Sequence, residues 1–319
     1  MKPSEKRIAK GLWWDRNWPV LEGCTPCSPA CDNCFAAKYA HRFKDSLPSL
    51  RGLTNQEGKW NGMVMICRDQ LKLPSTIKKP TVWFVTERSD LFHPLVPFGY
   101  ILAVLTYVAM APHHRYMILT KRPERMAEFF QWMNSESTYS VETLQDCFWF
   151  GVTVWDQASA DRSIPILCGL QVAHKFISIE PMLGAIDLSQ YLKLSWRSTA
   201  GIDLDAPQFE PRLNLVICGG ESGNNARPMH PDWVRSVRDK CQNARVPFFF
   251  KQWGEWAPGE HGHEVPIQRW AEIPEGEQVA RPLRLFGEEA ARPCQLVARV
   301  GKKIAGRLID GKEYLELPL

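Results

Sequence analysis

Four cysteines, Cys24, Cys27, Cys31 and Cys34, fall within eleven consecutive positions and are the residues best placed to do chemistry. Four thiolates can bind zinc, but a structural zinc site usually joins two cysteine pairs across a longer loop that folds between them. Here only Ser28, Pro29 and Ala30 separate Cys27 from Cys31. Three closely spaced thiolates on one loop match an iron–sulfur cluster better, because each of the three then holds a different iron and a fourth iron stays open to another ligand. The other six cysteines, Cys67, Cys147, Cys168, Cys218, Cys241 and Cys294, are scattered and read as packing residues.

The elements that must position this loop show in the hydrophobic pattern. Seven short β-branched and aromatic runs end abruptly in polar residues: Val64 to Cys67, Val82 to Val85, Tyr116 to Thr120, Trp149 to Val154, Phe176 to Ile179, Leu215 to Cys218 and Phe248 to Phe250. They are continuously apolar rather than alternating, as parallel strands covered on both faces are. Helix-sized segments lie between them, at Phe98 to Met110, Pro123 to Met133, Asp156 to Leu167 and Pro231 to Asn243, with Pro123 and Pro231 suited to a first helical turn. The alternation predicts an α/β fold, a single partial TIM-like barrel of parallel strands over residues 1–256, with an open doubly wound sheet as the alternative. Residues 257–319 read as a loop-rich C-terminal extension packed on the barrel, and the polar segments Ser195 to Arg212 and Ala257 to Arg292 as insertions.

Nearly every strand exits into charge: Arg68-Asp69, Thr86 to Asp90, Lys121-Arg122, Asp156-Gln157, Glu180, Gly219 to Ser222 and Lys251-Gln252. In a parallel barrel these exits converge on the C-terminal face, where active sites are built. Lys121, Arg122, Arg227 and Lys251 suit phosphate or carboxylate groups. Arg88, Asp90 and Glu180 are suited to positioning a substrate or pairing with those cations, and His93 reads as structural. With 45% hydrophobic and 23% charged residues the chain is globular rather than disordered, and its net charge of +4 permits a nucleic-acid partner without requiring one. No apolar leader opens it, and the longest apolar stretch, Pro97 to Pro112, is shorter than a membrane span, so a cytoplasmic protein with no membrane association is expected.

Cys27, Cys31 and Cys34 have the C-x3-C-x2-C spacing of radical S-adenosylmethionine (SAM) enzymes, which the chain therefore resembles. A second resemblance covers nearly the whole chain. Gly23-Cys24-Thr25, Ser28-Pro29, Cys31, Cys34-Phe35-Ala36, Ser89 to His93, Thr120 to Pro123, Ser178 to Pro181, Gly219 to Gly223, Ala226 to Met229, Phe250 to Gly254, Val300 to Lys303 and Gly306-Arg307 are similar to the phage Gp37/Gp68-like family, the DUF5131 or three-Cys-motif proteins. Within that family the three cysteines correspond to Cys24, Cys31 and Cys34, so this chain offers two ways of choosing three ligands from four. Asn33 stands where radical SAM enzymes often carry an aromatic residue, and Phe35 follows one position late.

Together the resemblances imply a [4Fe-4S] cluster and SAM as cofactors, with an electron from a flavodoxin or ferredoxin releasing a 5′-deoxyadenosyl radical. The phage association and the cationic exits point to a nucleotide or a nucleic-acid base as the substrate, in modification or repair. Gly219, Gly220, Glu221 and Ser222 resemble the Gly-Gly-Glu stretch that holds the methionine amino group, although here it follows a late strand, and with Arg122 and Arg227 they form the candidate cofactor-binding set. Arg88, Asp90, Lys121, Glu180 and Lys251 form the candidate catalytic set. The alternative is a nucleic-acid-binding protein whose four thiolates hold zinc.

Overall fold

Six of the apolar runs become strands of one parallel sheet, because each is apolar on both faces; a helix precedes the next strand at four of their five connections, and between Ile179 and Leu215 the described residues hold an antiparallel strand pair instead. The computed structural model describes residues 1–136, 146–192, 194–196, 209–211, 213–262, 264–274, 281–282 and 294–318. The sheet comprises β1 (Arg16–Trp18), β2 (Val82–Val85), β3 (Arg115–Thr120), β4 (Phe148–Thr153), β5 (His174–Ile179), β6 (Leu215–Gly219) and β7 (Phe248–Gln252). These seven strands lie side by side in chain order and every neighbouring pair is parallel. That sequential order is the winding of a partial barrel; a doubly wound sheet would reverse its order. Beside two single-turn helices at Glu5–Ile8 and Lys302–Ala305, the helices are α1 (Phe35–Phe43) in the cysteine segment, then α2 (Phe98–Val108), α3 (Pro123–Glu136), α4 (Gln157–Gly169) and α5 (Pro231–Asn243). Helix α4 starts at a capping box in which Asp156 accepts from the Ser159 backbone N–H and Ser159 accepts in return.

The seventh run behaves differently from its expectation. Only Met65–Ile66 of the Val64 to Cys67 stretch is extended, and it pairs antiparallel with Leu21–Glu22 outside the main sheet. Its place at the sheet edge is taken by β1, whose three residues Arg16, Asn17 and Trp18 carry too little apolar pattern to announce a strand. Consequently Arg68-Asp69 lies in a 3-10 turn away from the strand exits.

Alternation along the strands sends successive side chains to opposite faces. Trp83, Val85, Ile118, Phe150, Ile177, Val216 and Phe248 belong to a large core shared with helix residues such as Ile101, Phe129, Ile164 and Val237. Val82, Phe84, Met117, Trp149, Phe176, Ile217 and Phe249 form a second core with Trp13, Trp14 and Leu317. The concave face is thus filled at one end by a tryptophan pair from the chain's N-terminal segment, and the space above it remains open. The chain's last residues run along β7, where the Phe250 N–H donates to the Tyr314 carbonyl at 2.7 Å. Trp256–Pro258, Trp270–Pro274, Arg281–Pro282 and Cys294–Arg299 build a separate four-stranded antiparallel sheet. Of the expected polar insertion, Leu194–Trp196 and Phe209–Pro211 pair as antiparallel strands, while 197–208 lie outside the described residues, as does most of 275–293. Among the described residues no helix is long and apolar enough to cross a membrane.

Gly151 shows how tightly the concave core is filled: a Cβ there would stand 2.5 Å from the Phe176 ring. Gly151→Ala should therefore destabilise the protein by about 1–3 kcal/mol through overpacking, measured as a lower denaturation midpoint in urea. An unchanged midpoint would show that Phe176 has room to move.

Candidate active site at the barrel mouth

The four cysteines sit in the segment between Leu21–Glu22 and α1. Cys31 ends a 3-10 turn over Pro29–Cys31, and Cys34 occupies the N-cap of α1. All four line one cavity of about 210 Å³ at the exits of the parallel strands. Arg88, Asp90, Lys121, Arg122, Glu180, Gly220, Glu221, Ser222 and Lys251 line the same cavity, and Trp13, Trp14 and Phe84 lie below it. Of the remaining predicted site residues, Gly219 ends β6 and Arg227 lies behind Glu221.

The arginines are held in place by carboxylates, and through them they hold the cysteine loop. Asp90 is the anchor of the first clamp: its Oδ1 accepts from Thr120 Oγ1 at 2.7 Å and from the Phe92 N–H, and its Oδ2 accepts from the Lys121 N–H. Arg122 pairs with Asp90 at 2.8 Å, and both side chains are nearly buried. Its Nη2 donates to the Thr25 carbonyl at 2.7 Å, and its two terminal nitrogens stand 3.8 and 3.9 Å from Cys24 Sγ. The Ser89 hydroxyl donates to the Gly23 carbonyl alongside. His93 completes this end. Its Nδ1 accepts the Leu95 N–H, so in the neutral ring Nε2 carries the proton and donates to Thr25 Oγ1 at 2.8 Å.

A second clamp holds the other end of the loop. Arg227 pairs with Glu221 at 2.7 Å, donates to the Pro29 carbonyl at 2.9 Å and reaches Asp32 at 3.4 Å. Asn33 Nδ2 donates to Glu221 Oε2 at 2.9 Å and to the Asn225 carbonyl at 2.7 Å. Asn33 thus departs from the radical SAM pattern in sequence and supplies a structural contact in the fold. Gly220 is required by close packing, since a Cβ would fall 1.9 Å from the Trp253 carbonyl oxygen, and one on Gly254 would fall 2.0 Å from that of Glu221. The Gly-Gly-Glu stretch therefore brings the β6 and β7 exits together and delivers Glu221 to the cysteine loop.

Two further pairs complete the wall. Lys251 Nζ lies 2.9 Å from Glu180, which also accepts from Ser178 at 3.2 Å. Arg88 pairs with the buried Glu22 and lies over the Tyr39 ring at 5.1 Å. The only sequence signal of Glu22 is a lone carboxylate directly before Gly23, which does not mark it as a site residue. Asp90, Glu221, Glu180 and Glu22 are thereby each neutralised by one cation.

The thiols stand as two pairs. Cys24 and Cys34 pack beside the small core of Ala36, Ala40, Leu53 and Trp60, and burial pushes the Cys24 thiol up to about 12, with Asp90 adding to the effect and Arg122 opposing it. Cys27 is exposed and donates to Cys31, which holds the Cys31 thiol low and its own high. Lys121 and the Ser28 hydroxyl also favour the Cys31 thiolate. Among the described residues no three cysteine, histidine or carboxylate side chains converge as a ready metal site. The donor set nevertheless fits a thiolate-bound group: four sulfurs share one cavity, and the neighbours of Cys31 favour its thiolate form.

Removing the anchor of a buried ion pair leaves its partner uncompensated, so Asp90→Ala should cost about 3–5 kcal/mol and expose Cys24 to faster alkylation; equal alkylation rates would refute the clamp. Burial lowers His93 from 6.5 to about 4. As pH falls from about 6.5 toward 4 the unfolded chain takes up this proton first, so stability is lost over that window. His93→Gln should flatten that limb of the pH–stability curve, and an unchanged limb would place the titration elsewhere.

None of the curated proteins matches this sequence. Among solved structures, spore photoproduct lyase complexed with dinucleoside spore photoproduct overlaps with a TM-score of 0.35 and 9% identity, covering 89% of this chain and 68% of that one. A cysteine-to-alanine mutant of the same lyase, with the same dinucleoside, overlaps over the same shares at 9% identity and a TM-score of 0.33. At this level the likeness extends to neither the site nor its chemistry. The family model described as protein of unknown function (DUF5131) matches residues 9–318, with the cysteine loop and both clamps inside the match. The chain therefore belongs to the DUF5131 family.

Proposed function

We propose that this protein is an iron–sulfur enzyme that uses SAM to start radical chemistry on a nucleotide or a nucleic-acid base, in modification or repair. The observation that carries the reading is the convergence of four thiols and the charged strand exits on one cavity over the concave face of a parallel sheet. Cys31 and Cys34, with Cys24 or Cys27, would hold the cluster. When bound, cluster and SAM supply a one-electron reduction and a carbon radical able to abstract a hydrogen atom.

The protein's own residues confine and orient. Trp13 and Trp14 close the bottom of the cavity and keep bulk water from below, which limits quenching of reactive species. Lys121 lines the cavity and makes no ion pair among the described residues, so its ammonium is available to a phosphate or carboxylate. The Glu180–Lys251 pair offers a donor and an acceptor side by side for a polar substrate group. Arg88, Asp90, Arg122, Glu221 and Arg227 maintain the walls and the loop. Cys27, exposed at the rim, marks the side from which a carrier such as flavodoxin or ferredoxin would deliver the electron.

Anaerobic reconstitution with iron and sulfide, followed by dithionite and SAM, should yield 5′-deoxyadenosine, and Cys31→Ala should lower the yield at least a hundredfold, of the order lost with an essential catalytic group. A colourless protein with stoichiometric zinc and no 5′-deoxyadenosine would overturn this function in favour of a zinc-bearing nucleic-acid-binding role.

A further inference from the structure

Three carboxylates that line the cavity, Asp90, Glu180 and Glu221, are matched one to one with cations; a fourth, Glu87, is not. Glu87 lines the cavity, and among the described residues its carboxylate makes no hydrogen bond or ion pair. It is set there by its backbone. Thr86 adopts φ +58°, a left-handed conformation costly for a β-branched residue, and its N–H donates to the Trp18 carbonyl at 3.0 Å. The Glu87 N–H is fixed in turn by Asn17 Oδ1 at 2.9 Å. Strain held at the β2 exit by two contacts from β1 thus presents a carboxylate that the fold itself does not use. Burial raises this carboxyl above its ordinary range, while the cations facing it, Arg88, Lys251 and Arg7, draw it back toward ionisation. Lys121 is its counterpart, a cavity-lining ammonium with no carboxylate among the described residues.

We propose that Glu87 and Lys121 form a guanine-nucleotide subsite, with the Glu87 carboxylate accepting the ring N1–H and the exocyclic amino group and Lys121 meeting the phosphate. The inference rests on the nucleotide substrate class proposed above and narrows it. An ionised carboxylate only accepts hydrogen bonds, through two oxygens side by side. Guanine alone among the common bases presents two adjacent N–H donors on its pairing edge. Adenine and cytosine offer one donor beside a lone pair, and uracil and thymine place carbonyl oxygens on both sides of their single N–H, so each sets an acceptor against one carboxylate oxygen.

The test is equilibrium binding of GMP, IMP, AMP and UMP to the full chain by titration calorimetry, which needs no turnover. IMP differs from GMP by loss of the amino group, so wild-type protein should prefer GMP by roughly tenfold to a hundredfold, the worth of one charge-assisted hydrogen bond. Glu87→Gln, which keeps size and shape, should bring the GMP/IMP ratio close to one. Lys121→Met should weaken GMP while leaving guanosine unchanged. A ratio that survives Glu87→Gln, tighter binding of AMP or UMP than of GMP, or no nucleotide binding would overturn the subsite. The 5′-deoxyadenosine assay reports separately on the radical reading, so either can fail while the other stands.

Discussion

Two ion pairs, Asp90–Arg122 and Glu221–Arg227, fix the loop on which everything else at the barrel mouth depends. Taking charged groups out of water is costly, and a buried pair is weak support for stability taken alone. What these pairs supply is position. Each arginine spends part of its donor fork on its carboxylate and the rest on the loop, Arg122 at Thr25 and Cys24, Arg227 at Pro29 and Asp32. Cys24 and Cys34 pack only against a small core that includes Ala36, Ala40, Leu53 and Trp60, and the exposed part of the loop gains nothing from it. Two guanidiniums with fixed geometry hold the rest over the cavity.

The same pairing sorts the charges of the mouth into two kinds. Most of the strand-exit arginines are committed to the architecture, so their abundance measures how the loop is held and says little about the ligand. The uncommitted groups are few, and they carry the information about what enters. This is why a charge count of the cavity misleads and a pairing map does not: a neutralised carboxylate is a strut, while an unneutralised one at the end of a strained strand exit has been placed there against its own solvation preference.

The sequence made the sheet legible because six strands are apolar on both faces, a pattern that survives without any knowledge of neighbours. It hid β1, where Arg16-Asn17-Trp18 is held by pairing with β2 rather than by its own propensity. It also promoted Val64 to Cys67, whose apolar run serves a small antiparallel pair beside the cysteine loop. At the site, the thiols were evident from spacing, and the pairing of Asp90 and Glu180 with neighbouring cations was one of two open readings. The clamps were not legible. Arg122 meets Cys24 across 98 positions and Asn33 meets Glu221 across 188, distances over which local pattern carries no signal. Gly220 and Glu221 look like a ligand-binding turn in sequence; in the fold both line the cavity, and in addition one is needed for backbone approach and the other for the second clamp.

The central claim is that this pinned loop is a site for an iron–sulfur cluster with one iron left open. Mössbauer spectroscopy of anaerobically isolated, iron-labelled protein tests it most directly. The account predicts the spectrum of a four-iron cluster in which one iron site shifts when SAM is added. A spectrum with no cluster signal, from protein that holds stoichiometric zinc on the same cysteines, would contradict it.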